Sequence, residues 1–505
     1  MISPSNVDRI PGPQLGVRAP VNVRIAAAAL LLLFVTLTLA YALTRCPWWD
    51  EGLFSDVAAT LRRSGHLGSS VLAPYAYMNM PAVDRYTYWQ FPVYLLSLAA
   101  WFHLFPVSFL SARLFSALCG CLFVYCWFLF ARAMTRNETI ALWVACLVAL
   151  DHACLSAASN GRMDMLCAAL GQAALAAYVC LRDSHPARAL ALAGFFGAAS
   201  LFCHPMGAVT NAFLLILLIS DWRHLRWTTV PLVLPPYLLG AALCLSYIFQ
   251  DPKIFLAQSK GVSGYRIRGV FNVLQAIAND ARYRYWSFYF PPHSGLNRVK
   301  IFSLLFGLVG IAALALDSKR RSEPFVKLLF AFVCVAYAGV AAIDNQRFAF
   351  YLIYVTPTLA AAGAVWAYHA FETRSRARFI AGFLLLGCLS ANVANCIVYI
   401  RRNAVATEYQ PVVDVVRRAL KPGDVVMAPS EFGFALGFGR PLVDDCFLGF
   451  VSGIQPEVYV TGDICAPPLG STFRFRWSRE ILAARYRLVL KNRSYAVYLR
   501  NAPET

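Results

Sequence analysis

The chain has 505 residues, 59% of them hydrophobic and only 14% charged, a mixture too apolar for a soluble globule of ordinary composition. Lys and Arg outnumber Asp and Glu by 45 to 26, giving a formal net charge of +19, yet most of the excess sits in short connections between apolar runs. That placement is a topology signal and argues against a nucleic-acid partner.

In chain order, apolar runs long enough to cross a bilayer, roughly 20 residues each, are predicted at 25–44, 112–131, 139–158, 164–181, 189–203, 206–221, 228–249, 299–316, 328–343, 348–370 and 379–400. The first exceeds a usual signal-peptide core and reads as a retained span. The stretch "FPVYLLSLAAWFHLF" at 91–105 differs. As a helix it would reach only about 22 Å, short of the ~30 Å hydrocarbon core, and Pro92 and Pro106 bracket it. If it lies in the interface, the basic clusters Arg9 to Arg24, Arg132 and Arg136, Arg182 and Arg188, Arg223 and Arg226, Lys319 to Arg321 and Arg374 to Arg378 all fall on one side. The positive-inside rule then gives about eleven spans with a cytoplasmic N-terminus.

This topology turns outward a first loop (45–111), the turn "NGRMD" (160–164), a second loop (250–298), the short turns "CHP" (203–205) and "DNQR" (344–347), and everything after 401. In that tail "DVVRRALKPGDVVMAP" reads as helix, Pro-Gly turn and buried strand, and "RYRLVLKNRSYAVYLR" as a hairpin. The expected fold class is a polytopic α-helical membrane protein with a small C-terminal α/β domain. Its parts are a cytoplasmic segment (1–24), a transmembrane domain (25–400) and an extracytoplasmic domain (401–505). Of the fifteen cysteines most lie in apolar runs without metal-site spacing; Cys446 and Cys465 are placed for a disulfide in an oxidising compartment.

Candidate chemistry concentrates on the outer side. Asp50 and Glu51, in "CPWWDEGLFSD", follow the first span and precede an amphipathic helix with Leu53, Val57 and Leu61 on one face. A carboxylate fixed at headgroup depth suits a general base; solvated acids at a loop start, behind interfacial tryptophans, fit the same letters. Asp164, in "SNGRMDM", either converges with Asp50 on an acceptor or a divalent ion, or caps the helix that follows. Arg162 is its neighbouring cation. His204, in "CHPMG", fits a turn residue or a phosphate contact. In the second loop Arg282 and Arg284 stand among Tyr283, Tyr285, Trp286 and Tyr289, a pattern for a sugar face or a lipid phosphate, or for anionic headgroups. Arg347 is an isolated cation at a span end. No HExxH, CxxC pair, Walker lysine or GxSxG elbow is present, which leaves ATP-driven pumping and zinc proteolysis without support.

Taken in order, "WWDEGLFSDVAATLRRSG", "YWQFPVYLLSLAAWFHLFPVSFLSARLFSAL" and "SNGRMDMLCAALGQAALAAYV" resemble the GT-C glycosyltransferases of the protein mannosyltransferase and lipid A aminoarabinose transferase type, over roughly residues 25–370. The resemblance implies an inner-membrane enzyme that moves a sugar from a polyprenyl-phosphate carrier to a lipid, glycan or protein acceptor on the outer face, with inversion. It implies Asp50 as base with Glu51 beside it and Asp164 as second acid. Arg347, Arg282, Arg284, His204, Arg162 and Tyr88 would contact carrier phosphate or substrate, and Asp50 and Asp164 are the expected ligands should a divalent metal take part. Relatives often show Glu-Lys-Pro where this chain reads Gln90-Phe91-Pro92, with Asp84 and Arg85 as nearby substitutes. Two other classes fit parts of the pattern: a lipid-linked sugar flippase, which would carry charges near span centres, and an assembly protein working through its tail.

Overall fold

The computed structural model describes residues 21–75, 80–223, 225, 228–266, 273–289, 299–445, 447–450, 452–462 and 480–501. Cys446 and Cys465 lie outside the described residues. Helix dominates, in the order α1 (Val21–Thr44), α2 (Trp49–Ser64), α3 (Pro92–Leu104), α4 (Phe109–Thr135), α5 (Glu138–Leu150), α6 (His152–Ala158), α7 (Met163–Leu181), α8 (Pro186–Leu201), α9 (Gly207–Ser220) and α10 (Leu234–Ile248). There follow α11 (Pro252–Arg266), α12 (Val273–Asp280), α13 (Trp286–Tyr289), α14 (Ile301–Leu316), α15 (Pro324–Ile343), α16 (Thr356–Glu372), α17 (Ala377–Arg402) and α18 (Gln410–Ala419).

Each predicted apolar run coincides with a helix, but their lengths divide them. Among the described residues six helices are long and apolar enough to cross a membrane, or seven when α5 and α6 count as one. α8, α9 and α14 are too short to do so unaided, so length and composition alone do not reach the eleven crossings read from charge. The α5–α6 pair bends by 62°, and the cause is local. Asp151 leaves the helical conformation and accepts the N–H groups of Ala153 and Cys154 at 2.9 and 3.3 Å, capping α6, while Thr356 donates to the same oxygen at 2.9 Å. α3 is a separate 13-residue helix whose fixed Pro92 opens it.

α7 packs on α4 and α8, and α14 packs on α16 and α17. At the α14–α16 contact Gly310 meets the backbone of Gly363 so closely that a side chain would not fit, the small-residue device of helices that pack without a hydrophobic drive. α10 is largely apolar and has no buried residue, the composition and exposure of a lipid-facing helix.

After α18 the chain forms a five-stranded sheet from β1 (Val426–Met427), β2 (Leu442–Val443), β3 (Val458–Gly462), β4 (Tyr486–Lys491) and β5 (Tyr495–Arg500), ordered β2-β1-β3-β5-β4. β1 pairs in parallel with β2 and β3, and the β4–β5 hairpin joins antiparallel through β5. α18 lays Val412, Val413 and Val416 against Val426, Val458 and Val497. Val71 of the first loop belongs to the same apolar cluster, so the sheet is seated on the loop that carries Asp50.

Candidate active site

Glu51 organises the entry to α2. Its Oε2 accepts the Trp48 N–H at 2.9 Å, closing the first turn, and its Oε1 accepts the Gly161 N–H at 2.6 Å. Arg113 of α4 grips both oxygens, Nε to Oε1 at 2.8 Å and Nη2 to Oε2 at 2.7 Å. Burial works to raise this carboxyl, but the Arg113 guanidinium outweighs it and holds Glu51 below the usual carboxylate range. Arg113 also donates to the carbonyls of Ala42, Arg45 and Cys46, tying the end of α1 to the start of α2. Both Glu51 oxygens are thus engaged with the protein.

One residue earlier the side chain points elsewhere. Asp50 pairs with Arg162, and Arg162 Nε also holds Asp164 Oδ2 at 2.8 Å. The guanidinium that joins the two acids lies 4.0 Å from the Phe350 ring centre and 5.1 Å from that of Trp48, within reach of both faces. Asp50 keeps 22% of its side chain exposed against 4% for Arg162 and 2% for Asp164; it is the accessible member. Asp164 Oδ1 and Asn160 Oδ1 are buried without a hydrogen-bond partner among the described residues. They border a cavity of about 170 Å³ lined also by Arg45, Trp48 and Phe288.

That cavity shares Arg45, Trp48 and Phe288 with a second of about 470 Å³, which runs past His152 and Lys300 to Glu431 and Tyr495 of the C-terminal segment. A third, about 670 Å³, shares Phe288 and Lys300 and is lined by Arg284 and Arg347. The ends of α1, α7, α14 and α17 and the α15–α16 connection therefore converge on one space.

The expected cations reach it unequally. Arg284 is buried in a network with Asp280 at 2.8 Å and Asp344 at 3.0 Å and donates to the Phe348 carbonyl. Arg347 sits in the left-handed region at φ 61° and donates to the Ala341 and Asp344 carbonyls at 2.6 and 2.8 Å. His204 is buried, its Nδ1 accepting the Met206 N–H at 3.1 Å and its Nε2 lying 3.2 Å from the Tyr351 hydroxyl. Arg282 is exposed, over its neighbour Tyr283. Tyr88 packs on Tyr86 and Tyr247, and its N–H donates to Gln258 at 3.0 Å, pinning the first loop to α10 and α11. Asp84 and Arg85 are exposed beside each other, and Gln90 is buried with its amide unpartnered.

Three residues missed in the sequence matter here. Arg113 holds Glu51 from 62 positions away. Lys300, 5% exposed, makes no ion pair or hydrogen bond to a described residue; its Nζ lies 4.4 Å from the Phe288 ring centre, between two cavities. Its sequence signal was a cation, two residues after Arg298, at the opening of an apolar run. Glu431 lines the middle cavity and had no signal at all. Among the described residues no group of three or more His, Cys, Asp or Glu is arranged to hold a metal. Between Asp50 and Asp164 the positive charge is the chain's own Arg162, which a divalent ion would have to displace.

No family model matches the sequence, and no curated protein matches it. Solved structures do match the fold. ArnT from Cupriavidus metallidurans bound to undecaprenyl phosphate aligns over 96% of this chain and 99% of its own at 14% identity, with a TM-score of 0.59. The Archaeoglobus fulgidus oligosaccharyltransferase in its apo form covers 86% of this chain and 69% of its own at 13% identity and 0.51. AglB from the same archaeon, in complex with an inhibitory peptide and a dolichol-phosphate, covers 88% and 70% at 12% identity and 0.50. The chain accordingly shares the GT-C fold of these structures over nearly all of its length.

Proposed function

We propose that the protein transfers a sugar from a polyprenyl-phosphate carrier to an acceptor hydroxyl on the extracytoplasmic side of the inner membrane. The observation that carries this reading is the part-exposed Asp50 joined through Arg162 to Asp164, the latter two lining a cavity of a GT-C fold. Undecaprenyl and dolichol phosphates bound by the fold's neighbours support the carrier class.

Asp50 is the base. Arg162 aims it by ion pairing, Asp164 anchors Arg162, and Glu51 fixes the helical turn beneath. Asp50 takes the proton of the acceptor hydroxyl as that oxygen attacks the anomeric carbon from the face opposite the carrier. The bond from that carbon to the phosphate oxygen breaks, its electron pair leaves with the carrier phosphate, and the configuration inverts. Lys300, a buried cation with no carboxylate at ion-pair distance among the described residues, meets that charge, with Arg45 and Arg347 along the same walls. No step is routed through a metal.

The test is transfer from a set of polyprenyl-phosphate sugars by purified protein and Asp50→Asn. The variant is expected to lose transfer while it still binds undecaprenyl phosphate. Transfer by Asp50→Asn at the wild-type rate would overturn the assignment of the base. In the same preparation Lys300→Gln should weaken undecaprenyl-phosphate binding about tenfold or more, the worth of a charge-assisted contact to a phosphate.

A further inference from the structure

Glu431 lies in a short 3-10 turn, Ser430–Phe432, that leaves the sheet and presses on the first turn of α2. Gly52, two residues after Asp50, touches the backbone of Ser430 and Glu431 so closely that an added Cβ would overlap the Glu431 nitrogen. Around this contact the two parts exchange hydrogen bonds. Trp49 donates its indole N–H to Asp444 at 2.6 Å, and Asp444 also accepts the Ser430 N–H at 2.9 Å. Tyr495 donates its hydroxyl to Glu431 Oε1 at 3.1 Å and lies 3.3 Å from Cys46 Sγ. Tyr409 donates to the Glu431 carbonyl at 3.0 Å.

The Glu431 side chain is 4% exposed, and its Oε2 has no partner among the described residues. Titratable groups face it from every packed element: Asp444 and Tyr495 from the sheet, Tyr409 and Glu408 from the approach to α18, Cys46 from the end of α1, and Glu51 from α2. Arg113 is spent on Glu51, and the cations that line a cavity with Glu431 are Arg45, Lys300 and Arg402, the last paired with Glu408. Burial foremost, with Asp444 adding to it, pushes Glu431 up to about 8; burial pushes Asp444 up to about 6.

We propose that Glu431 is a positioning residue whose neutral carboxyl, buried in the seam, permits the latch that Gly52, Trp49 and Asp444 make between the C-terminal sheet and the α2 turn carrying Asp50, and that loss of its proton releases the latch. Its effect on catalysis rests on the reading of Asp50 as base; the latch itself does not. In the open state the carboxyl meets water and ionises near its ordinary value of 4.5. Between pH 6 and 8, where Asp444 has already titrated, opening therefore rises about tenfold per pH unit and levels off above.

Hydrogen exchange of the full chain in lipid nanodiscs reads this without any substrate. Protection factors, corrected for the intrinsic pH dependence of exchange, are followed for peptides spanning 48–56 and 428–434. Wild type should lose about two orders of magnitude of protection from pH 6 to 8, Glu431→Gln should show none of that loss, and peptides within α7 should not change. A flat wild-type profile overturns the latch, as does an equal slope in Glu431→Gln. Should that variant fail to fold, the wild-type series alone decides.

Discussion

Two adjacent acids with opposite fates set the character of the site. Asp50 stays part-exposed on an arginine that lines the cavity, whereas Glu51 is fully buried and bound by Arg113. A buried pair of this kind adds little over an apolar isostere, but removing one partner leaves an uncompensated charge. Arg113→Ala should cost about 3–5 kcal/mol of stability and scatter the α2 entry. The double replacement Glu51→Leu with Arg113→Met should recover much of that loss, and equal melting temperatures for wild type and Arg113→Ala would refute the strut role. Arg162 carries the second prediction at this scale. Because it supplies the positive charge between Asp50 and Asp164, transfer should persist after exhaustive chelation. Activity lost on chelation and restored by one divalent ion would mean that the working site displaces the guanidinium.

α2 is the element on which the structure turns, held from below by Arg113 and from above by the Ser430–Phe432 turn. Gly52→Ala drives a methyl into backbone rather than into a yielding side chain, and overpacking of that kind costs about 1–3 kcal/mol. Its signature should be faster proteolytic release of the C-terminal segment near residue 403, with α7 still protected; unchanged cleavage would show that the contact is dispensable. Much at this scale was legible in the sequence. Apolar periodicity placed the helices, and the Leu53, Val57 and Leu61 face placed α2, because local composition decides both. The bend at Asp151 was not legible: one acid in an apolar run reads the same whether it caps a new helix or sits in a continuous one. The pairings of Arg113 with Glu51 and of Asp444 with Trp49 join residues 62 and 395 positions apart, and no local pattern encodes a partner at that distance. Sequence weighed the second-loop arginines most heavily for phosphate, yet Arg284 is consumed by Asp280 and Asp344. Lys300 is instead a buried cation with no ion pair among the described residues.

Over the whole molecule, these acids set how stability responds to pH, and their signs oppose. Glu51 is held below its ordinary 4.5, so the folded state binds its proton less readily than the unfolded chain does. Its contribution is fully present above 4.5 and is lost as pH falls through the lower folded value. Glu431 and Asp444 are raised, to about 8 and about 6, from ordinary values of 4.5 and 3.8. The folded state retains those protons longer, so their contributions are complete below the ordinary values and fade as pH rises to about 6 and about 8 in turn. The two trends place the maximum near pH 4, below which Glu51 loses its contribution and above which Asp444 and Glu431 lose theirs in a long decline toward pH 8. A thermal melt of the detergent-solubilised protein, scored by the monodisperse fraction at each pH, should trace that asymmetry at a fixed heating rate. Glu431→Gln should flatten the decline between pH 6 and 8 and leave the acid limb in place, because Glu51 and Arg113 are untouched. A wild-type melting temperature that climbs from pH 5 to 8 would mean that Glu431 and Asp444 are ionised in the folded protein, and that the sheet is held on α2 by apolar contact alone.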